Sequence, residues 1–411
     1  MDISVIDFEE IYLDNADKQP KRYEDAIHAF EEYFGAGEGI EIYSAPGRTE
    51  LLGNHTDHQN GEVLAASINL DAIAIVRKTS NDVIYLVSGD KPLLIIDDLT
   101  MKEEEKGTTA SLVKGVLSML KKYGYAVGGF EAYITSDVPV GAGLSSSAAF
   151  ETLIGTVIAG LYNKMNIDPV MIAIAGQKAE NKFFGKPCGL MDQMACSVGN
   201  MVHIDFEDPK HPLIERINFD FSRTGYSLCI TDTKCSHSDL TAEYAAITEE
   251  MKEIARLLGH ETLRPVTLNE LLNNIADLRA TAGDRAVLRA IHYITENARV
   301  AKGVKALNNN DIYAFVRTVR QSGNSSFKYL QNAYVPSDIR NQTMSVALAV
   351  SDAVLTDKEC SRIHGGGFAG TIQAFVKDEN TKLYRNAMDK LFGEGSCQIL
   401  KVRKYGGIRV L

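Results

Sequence analysis

The chain has 411 residues, of which 45% are apolar and 24% charged, and its 43 basic and 54 acidic side chains leave a net charge of −11. That composition is ordinary for a globular protein and excludes disordered, collagen-like and disulfide-scaffold chains. The acidic balance argues against a general nucleic-acid or anionic-membrane binder, although a local basic pocket could still take a phosphate.

The length suggests two or three domains, or two large ones. Six cysteines are scattered without a C-x-x-C pair, as expected of free thiols in a reducing compartment. The stretch Met1-Asp2-Ile3-Ser4-Val5-Ile6-Asp7 is acidic and is not a secretory signal. No apolar run reaches the roughly 18 residues needed to span a bilayer. We therefore expect a cytoplasmic protein with neither membrane nor nucleic-acid partners.

In chain order, residues 72–76 form an apolar strand candidate. Residues 111–122 have helical spacing, with Gly124 as a stop. Residues 130–134 alternate with period two. Residues 147–162 read as a buried helix, and 169–184 as another, with Asp168 as its N-cap and Gly185 beyond its end. An amphipathic helix is predicted over 240–258, then helical stretches near 268–278, 286–307, 312–321 and 344–355. A strand over 370–376, a helix over 381–391 and a strand over 398–402 complete the series. Strands and helices without strict βαβ alternation suggest α+β in two lobes, with a break between 205 and 206.

Three glycine-containing motifs carry chemistry. Ala45-Pro46-Gly47-Arg48-Thr49-Glu50-Leu51-Leu52-Gly53-Asn54-His55-Thr56-Asp57-His58 crowds ionisable and amide groups as the fringe of a sugar site would. It also suits a solvated polar loop. Pro139-Val140-Gly141-Ala142-Gly143-Leu144-Ser145-Ser146-Ser147-Ala148-Ala149 follows a predicted strand and opens a predicted helix. Its glycines allow close backbone approach, and its hydroxyls and first-turn N–H groups suit a phosphate. It lacks the G-x-x-x-x-G-K-[S/T] spacing of an ordinary P-loop, and a turn capping a core helix fits it too. Ser361-Arg362-Ile363-His364-Gly365-Gly366-Gly367-Phe368-Ala369-Gly370 spends chain entropy on three successive glycines, either for a ligand or for a plain hairpin connection. A fourth segment, Cys188-Gly189-Leu190-Met191-Asp192-Gln193, sets a carboxylate among apolar residues, where it must be paired or functional if buried.

Taken together and in this order, the four segments resemble the galactokinases of the GHMP small-molecule kinase superfamily, over residues 40 to 411. The resemblance implies a two-lobed α+β GHMP fold, a first lobe over 1–205 and a second over 206–411, with the active site in the cleft between lobes. It implies phosphorylation of the anomeric C1 hydroxyl of galactose, with ATP and Mg²⁺, by a monomer or weak dimer. Asp192 matches the catalytic base and Arg48 the arginine that steadies charge. Gly141, Gly143, Leu144, Ser145, Ser146, Ser147 and Ala148 match the ATP loop, and Ser147 and Glu180 match the metal ligands. Asn54, His55, Asp57, Gly189 and Tyr244 match sugar-contacting positions.

The sugar motif departs from the family pattern Arg-Val-Asn-Leu-Ile-Gly-Glu-His-Thr-Asp-Tyr. Asn and Glu have exchanged places at 50 and 54, and His58 stands for the tyrosine. Four extended residues span about 13 Å, so Glu50 cannot simply replace a glutamate at 54. The family's downstream Ser-His-x-Ser is also absent. The exchange raises a second expectation, galacturonate as substrate, because a neutral Asn54 would not repel a carboxylate at C6. A non-catalytic sugar and ATP sensor is the third reading, and the complete Ser146-Ser147-Ala148 stretch and Asp192 speak against it.

Overall fold

The computed structural model describes residues 2–141, 143–235 and 240–411. It divides into two compact units. The first comprises Met1–Thr49, Ala66–Asn200 and Val402–Leu411, and the second comprises Glu50–Ala65 and Met201–Lys401. The chain therefore crosses between units several times, where the sequence reading had one crossing at 205/206.

Its strands are β1 (Ile40–Leu52), β2 (Glu62–Lys78), β3 (Ile84–Ser88), β4 (Leu94–Ile96), β5 (Phe130–Ser136), β6 (Met201–Asp205), β7 (Leu213–Ile217), β8 (Tyr226–Asp232), β9 (Cys360–His364), β10 (Thr371–Lys377), β11 (Cys397–Leu400) and β12 (Ile408–Arg409). In the first unit the order is β12-β1-β2-β5-β3-β4, with β2 and β5 antiparallel (Ile75 opposite Tyr133) and β3 and β5 parallel. The apolar run at 72–76 is explained by burial on both faces. Ala72, Ala74 and Val76 join a core with the helices Thr109–Lys122, Ser146–Asn163 and Pro169–Lys178, while Ile73 and Ile75 join a second core with the helix Gln19–Phe34.

Asp71, wholly buried in this unit, gathers Arg22 and Arg403 as ion pairs at 2.7 and 3.0 Å. The hydroxyls of Tyr12 and Ser44 donate to the same carboxylate.

The second unit holds the antiparallel sheet β11-β8-β10-β9, in which Ala374 faces Cys229 on one side and Ser361 on the other. Helices Thr343–Val354 and Thr381–Phe392 contribute Met344, Ala347, Tyr384 and Met388 to the core on this sheet. The helices Thr241–Leu257 and Asp284–Asn308 form a separate apolar cluster with Phe368.

Two predicted elements differ in form. The segment 169–184 is an α-helix to Lys178 with Asp168 as its cap, followed by a π-helical turn, Ala179–Phe184, closed by Gly185 at φ 89°. The stretch near 268–278 is two helices, Leu268–Asn273 and Ile275–Ala282. Among the described residues no helix is long and apolar enough to cross a membrane.

Candidate functional site

The candidate residues fall into two clusters, one in each unit. In the first, Arg48 extends from β1 and meets Asp192 in the opening turn of the helix Met191–Val198. Its Nε and Nη2 donate to Asp192 Oδ1 and Oδ2 at 2.8 and 2.7 Å, a bidentate pairing that fixes the carboxylate plane. Arg48 Nη1 donates to the Gly143 carbonyl, and its backbone N–H donates to that of Leu144 at 3.1 Å. Ser145 Oγ donates to Asp192 Oδ2. The end of the glycine loop next to the helix, residues 143–145, is thus fastened to both members of the ion pair. Burial pushes the Asp192 carboxyl up, but the Arg48 charge and the donated hydrogen bonds prevail and hold it below the usual carboxylate range. Its side chain is still 34% exposed, so a substrate can reach it.

The loop itself has left-handed backbone at Gly141 (φ 81°), Gly143 (φ 70°) and Ser145 (φ 57°). Ala142 lies outside the described residues. Ser145 precedes the helix Ser146–Asn163, which has no side-chain cap, so the first-turn N–H groups of Ser146, Ser147 and Ala148 are presented as an anion site would require. Leu144 and Ala148 are buried and anchor the loop.

Ser147 Oγ lies 3.2 Å from Glu180 Oε1, in the π-helical turn. Glu180 Oε2 accepts from Gln193 Nε2 at 2.8 Å, and Gln193 also donates to Glu151 Oε2 at 3.0 Å. Burial and the neighbouring Glu180 charge push the Glu151 carboxyl up to about 9, so it is neutral near pH 7. Lys186 Nζ completes the group, 2.8 Å from Glu180 Oε1. Gly189 lies exposed just before this helix, beside Cys188, whose N–H donates to Asn181 Oδ1 at 2.7 Å.

The second cluster is built on the glycine loop between β9 and β10. Asn54 Nδ2 donates to the Gly365 carbonyl at 2.7 Å, and Asn54 Oδ1 accepts from Asn332 at 2.9 Å. His55 Nε2 contacts the Gly366 carbonyl at 2.9 Å, and Tyr244 OH donates to that of Gly367, also at 2.9 Å. Three consecutive carbonyls are therefore each held by a residue that the resemblance gave as a sugar contact. A carbonyl can only accept, so the His55 proton sits on Nε2 and Nδ1 accepts from His58 Nε2 at 2.8 Å. Burial first, then the adjacent His58, push His55 down to about 3, which keeps it neutral. Asp57 lies 3.2 Å from His58 Nδ1. Gly367 has φ +86°, and a Cβ there would lie 2.2 Å from the Asn332 carbonyl oxygen, so this position excludes a side chain.

Segment 45–52 is buried strand and not a solvated loop. Glu50, buried within it, pairs with the fully buried Arg362 at 2.5 Å. His364, singled out with the third motif, is packed against Thr371 at 3.0 Å. Sequence reasoning did not single out Lys186, Glu151, Asn332 or the Glu50–Arg362 pair. Gln193 stood inside a quoted motif without an assigned role.

The model of the GHMP kinases N terminal domain matches residues 111–200, and that of the galactokinase galactose-binding signature matches 28–78. A galactokinase of Streptomyces coelicolor is 30% identical over 381 residues, covering 91% of this chain and 94% of that protein. One from Actinobacillus pleuropneumoniae is 30% identical, with 88% and 91% covered. Among solved structures, the Lactococcus lactis galactokinase complexed with galactose superposes with a TM-score of 0.78 at 24% identity, over 94% of this chain and all of that one. A mevalonate kinase structure shares the fold at a TM-score of 0.62 and 16% identity, with 88% and 99% covered. With 30% identity across nine tenths of both chains, this protein belongs to the galactokinase family of the GHMP kinases and is a sugar kinase.

Proposed function

We propose that the protein transfers the γ-phosphoryl group of ATP to the anomeric C1 hydroxyl of galactose, yielding galactose 1-phosphate and ADP. The observation that carries this reading is the bidentate Arg48–Asp192 pair, joined by Ser145 at the mouth of the glycine loop. Asp192 accepts the C1 hydroxyl proton and orients that oxygen toward the γ-phosphorus. The P–O bond to the β-phosphate breaks as the new one forms. Because Arg48 keeps Asp192 strongly ionised, the carboxylate is a weak base and the proton moves late. Arg48, permanently charged, steadies the negative charge on the transferring group.

Ser147 and Glu180 offer two hard oxygen donors around a 3.2 Å contact, a set that suits Mg²⁺ with phosphate oxygens and water filling the shell. When bound, Mg²⁺ would neutralise phosphate charge. The N–H groups of residues 146–148 and the backbone at Gly141 and Gly143 cradle the phosphates. Of the sugar contacts that the resemblance implies, this reading keeps Asp57, Gly189 and the Tyr244 hydroxyl, which can still accept; the ring nitrogens of His55 are engaged by Gly366 and His58, and the Asn54 amide by Gly365 and Asn332.

A second reading, galacturonate, draws on one observation. Asn54 is a neutral amide, and Glu50, four residues before it, is neutralised by Arg362. A coupled ADP-release assay with Mg-ATP against galactose, galacturonate, glucose and 2-deoxygalactose tests both. Galactose turnover abolished by Asp192→Ala supports the first reading, and preference for galacturonate replaces it with the second. If no sugar elicits ADP, the phosphoryl-transfer assignment is wrong; if Asp192→Ala keeps near-normal kcat, the assignment of Asp192 as base is wrong.

A further inference from the structure

Glu180 is a carboxylate whose side chain is only 4% exposed, and a charge so placed needs compensation. Its Oε2 is held by Gln193, a neutral amide. Its Oε1 receives the Ser147 hydroxyl at 3.2 Å and the Lys186 ammonium at 2.8 Å. Lys186 is thus the cation that balances Glu180. Its backbone is tethered to the same residue, since the N–H groups of Gly185 and Lys186 both donate to the Glu180 carbonyl at 3.0 Å. Gly185, in left-handed backbone, turns the chain back so that this can happen. The side chain of Lys186 is nonetheless 60% exposed, and its four-carbon stem is free to swing once its head group is released. Burial disfavours the charged ammonium, but the Glu180 carboxylate and then Asp192 outweigh it and hold the Lys186 pKa above its usual range.

We propose that Lys186 is a resident counter-cation of Glu180 that yields its place when a divalent cation binds there, and that its freed ammonium then contacts the phosphoryl group being transferred. The inference rests on the metal role given above to Ser147 and Glu180. A metal at that pair needs Glu180 Oε1, the atom Lys186 now occupies. The lysine therefore competes with the metal in the resting protein, which avoids an unbalanced buried charge. In the loaded protein it adds a point charge next to the phosphates, as a lysine does in other phosphate-binding loops.

Mn²⁺ alone, without nucleotide, is the probe, with free Mn²⁺ counted by electron paramagnetic resonance. Lys186→Met should bind Mn²⁺ about three- to tenfold more tightly than the natural chain, and Glu180→Gln should lose the site. In steady-state assays Lys186→Met should lower kcat about tenfold or more, with Lys186→Arg recovering part of it. Unchanged or weaker Mn²⁺ binding by Lys186→Met, with Glu180→Gln still losing the site, overturns the competition alone. Mn²⁺ binding indifferent to Glu180→Gln overturns the metal assignment as well. Tighter metal binding with unaltered kcat removes the phosphate contact. Thermal melting of each variant confirms that it is folded.

Discussion

Replacing Arg48 tests the central ion pair directly. Lysine at this position keeps the charge but can donate to only one carboxylate oxygen, where the guanidinium now donates to both at 2.8 and 2.7 Å. A hydrogen bond between charged groups contributes about 1.5–3 kcal/mol. Because Asp192 is 34% exposed, water screens part of that, leaving about 1–2 kcal/mol. Arg48→Lys should therefore lower kcat/KM roughly 5- to 30-fold. Methionine also removes the charge that steadies the transferring phosphoryl group and should cost about 10²–10³-fold. The pH profile adds an independent reading. In the natural chain Asp192 titrates below the usual carboxylate range, so the acid limb of kcat/KM lies low. In Arg48→Met the largest opposition to burial is gone and the Ser145 hydrogen bond and the Lys186 charge remain, so the carboxyl holds its proton to higher pH and the acid limb must move upward. Initial rates between pH 4.5 and 8, with a coupled assay insensitive to pH, give both results. A methionine variant with its acid limb in place, or with near-normal rates at neutral pH, would show that Arg48 does not govern the Asp192 charge.

Asp71→Asn should destabilise the protein by about 3–5 kcal/mol in urea unfolding, because Arg403, wholly buried, loses its carboxylate. Burial pushes Asp71 up, yet Arg22 and Arg403 hold it below its unfolded value. Its contribution is therefore complete above the ordinary Asp range, near 3.9, and falls away as acid titrates the folded carboxylate. Stability curves from pH 3 to 7 should show less acid sensitivity in the variant, and parallel curves would refute the assignment. Asn54→Glu should also destabilise, since the new carboxylate faces the Gly365 carbonyl and Glu50, now 2.7 and 3.3 Å from the amide. Adding Glu50→Asn should restore part of the loss, whereas strictly additive losses in the double-mutant cycle would disprove the coupling. Ser147→Ala should raise the Mg-ATP concentration needed for half-maximal rate several-fold and leave the KM for sugar nearly unchanged, which initial-rate kinetics resolve.

The parts of this molecule legible from sequence were those in which residue type and spacing carry the physics. The helix Ser146–Asn163 was readable because it is apolar nearly all round, and the core of β2 because it is buried on both faces. Asp192 was readable because a carboxylate in apolar sequence demands a partner, although nothing in the pattern alone named Arg48. The Glu50–Arg362 pair was not readable, since its members are 312 positions apart and the exchange that drew notice to Glu50 does not name its partner. The grip of Asn54, His55 and Tyr244 on the glycine loop was hidden for a different reason. Its acceptors are backbone carbonyls, and these leave no trace in residue identity. The stretch 45–58 looked like a polar loop because Arg48 and Glu50 are neutralised by residues distant in sequence, Asp192 and Arg362. Lys186 looked like any surface lysine.

The span between Asn54 and Gly365, 311 positions, also orders events during biosynthesis. At about 5–20 residues per second, roughly 15–60 s elapse after Asn54 is made before its acceptor exists. For that interval Glu50 lacks its partner Arg362, and the stretch around it must stay hydrated or be sheltered by a chaperone. The first unit waits longer still, because Arg403, the partner of Asp71, and β12, which pairs with β1 from Tyr43 to Ser44, belong to residues 402–411. Neither unit can close until nearly the whole chain has left the ribosome, so a nascent chain stalled before residue 362 should be a protease substrate in both halves.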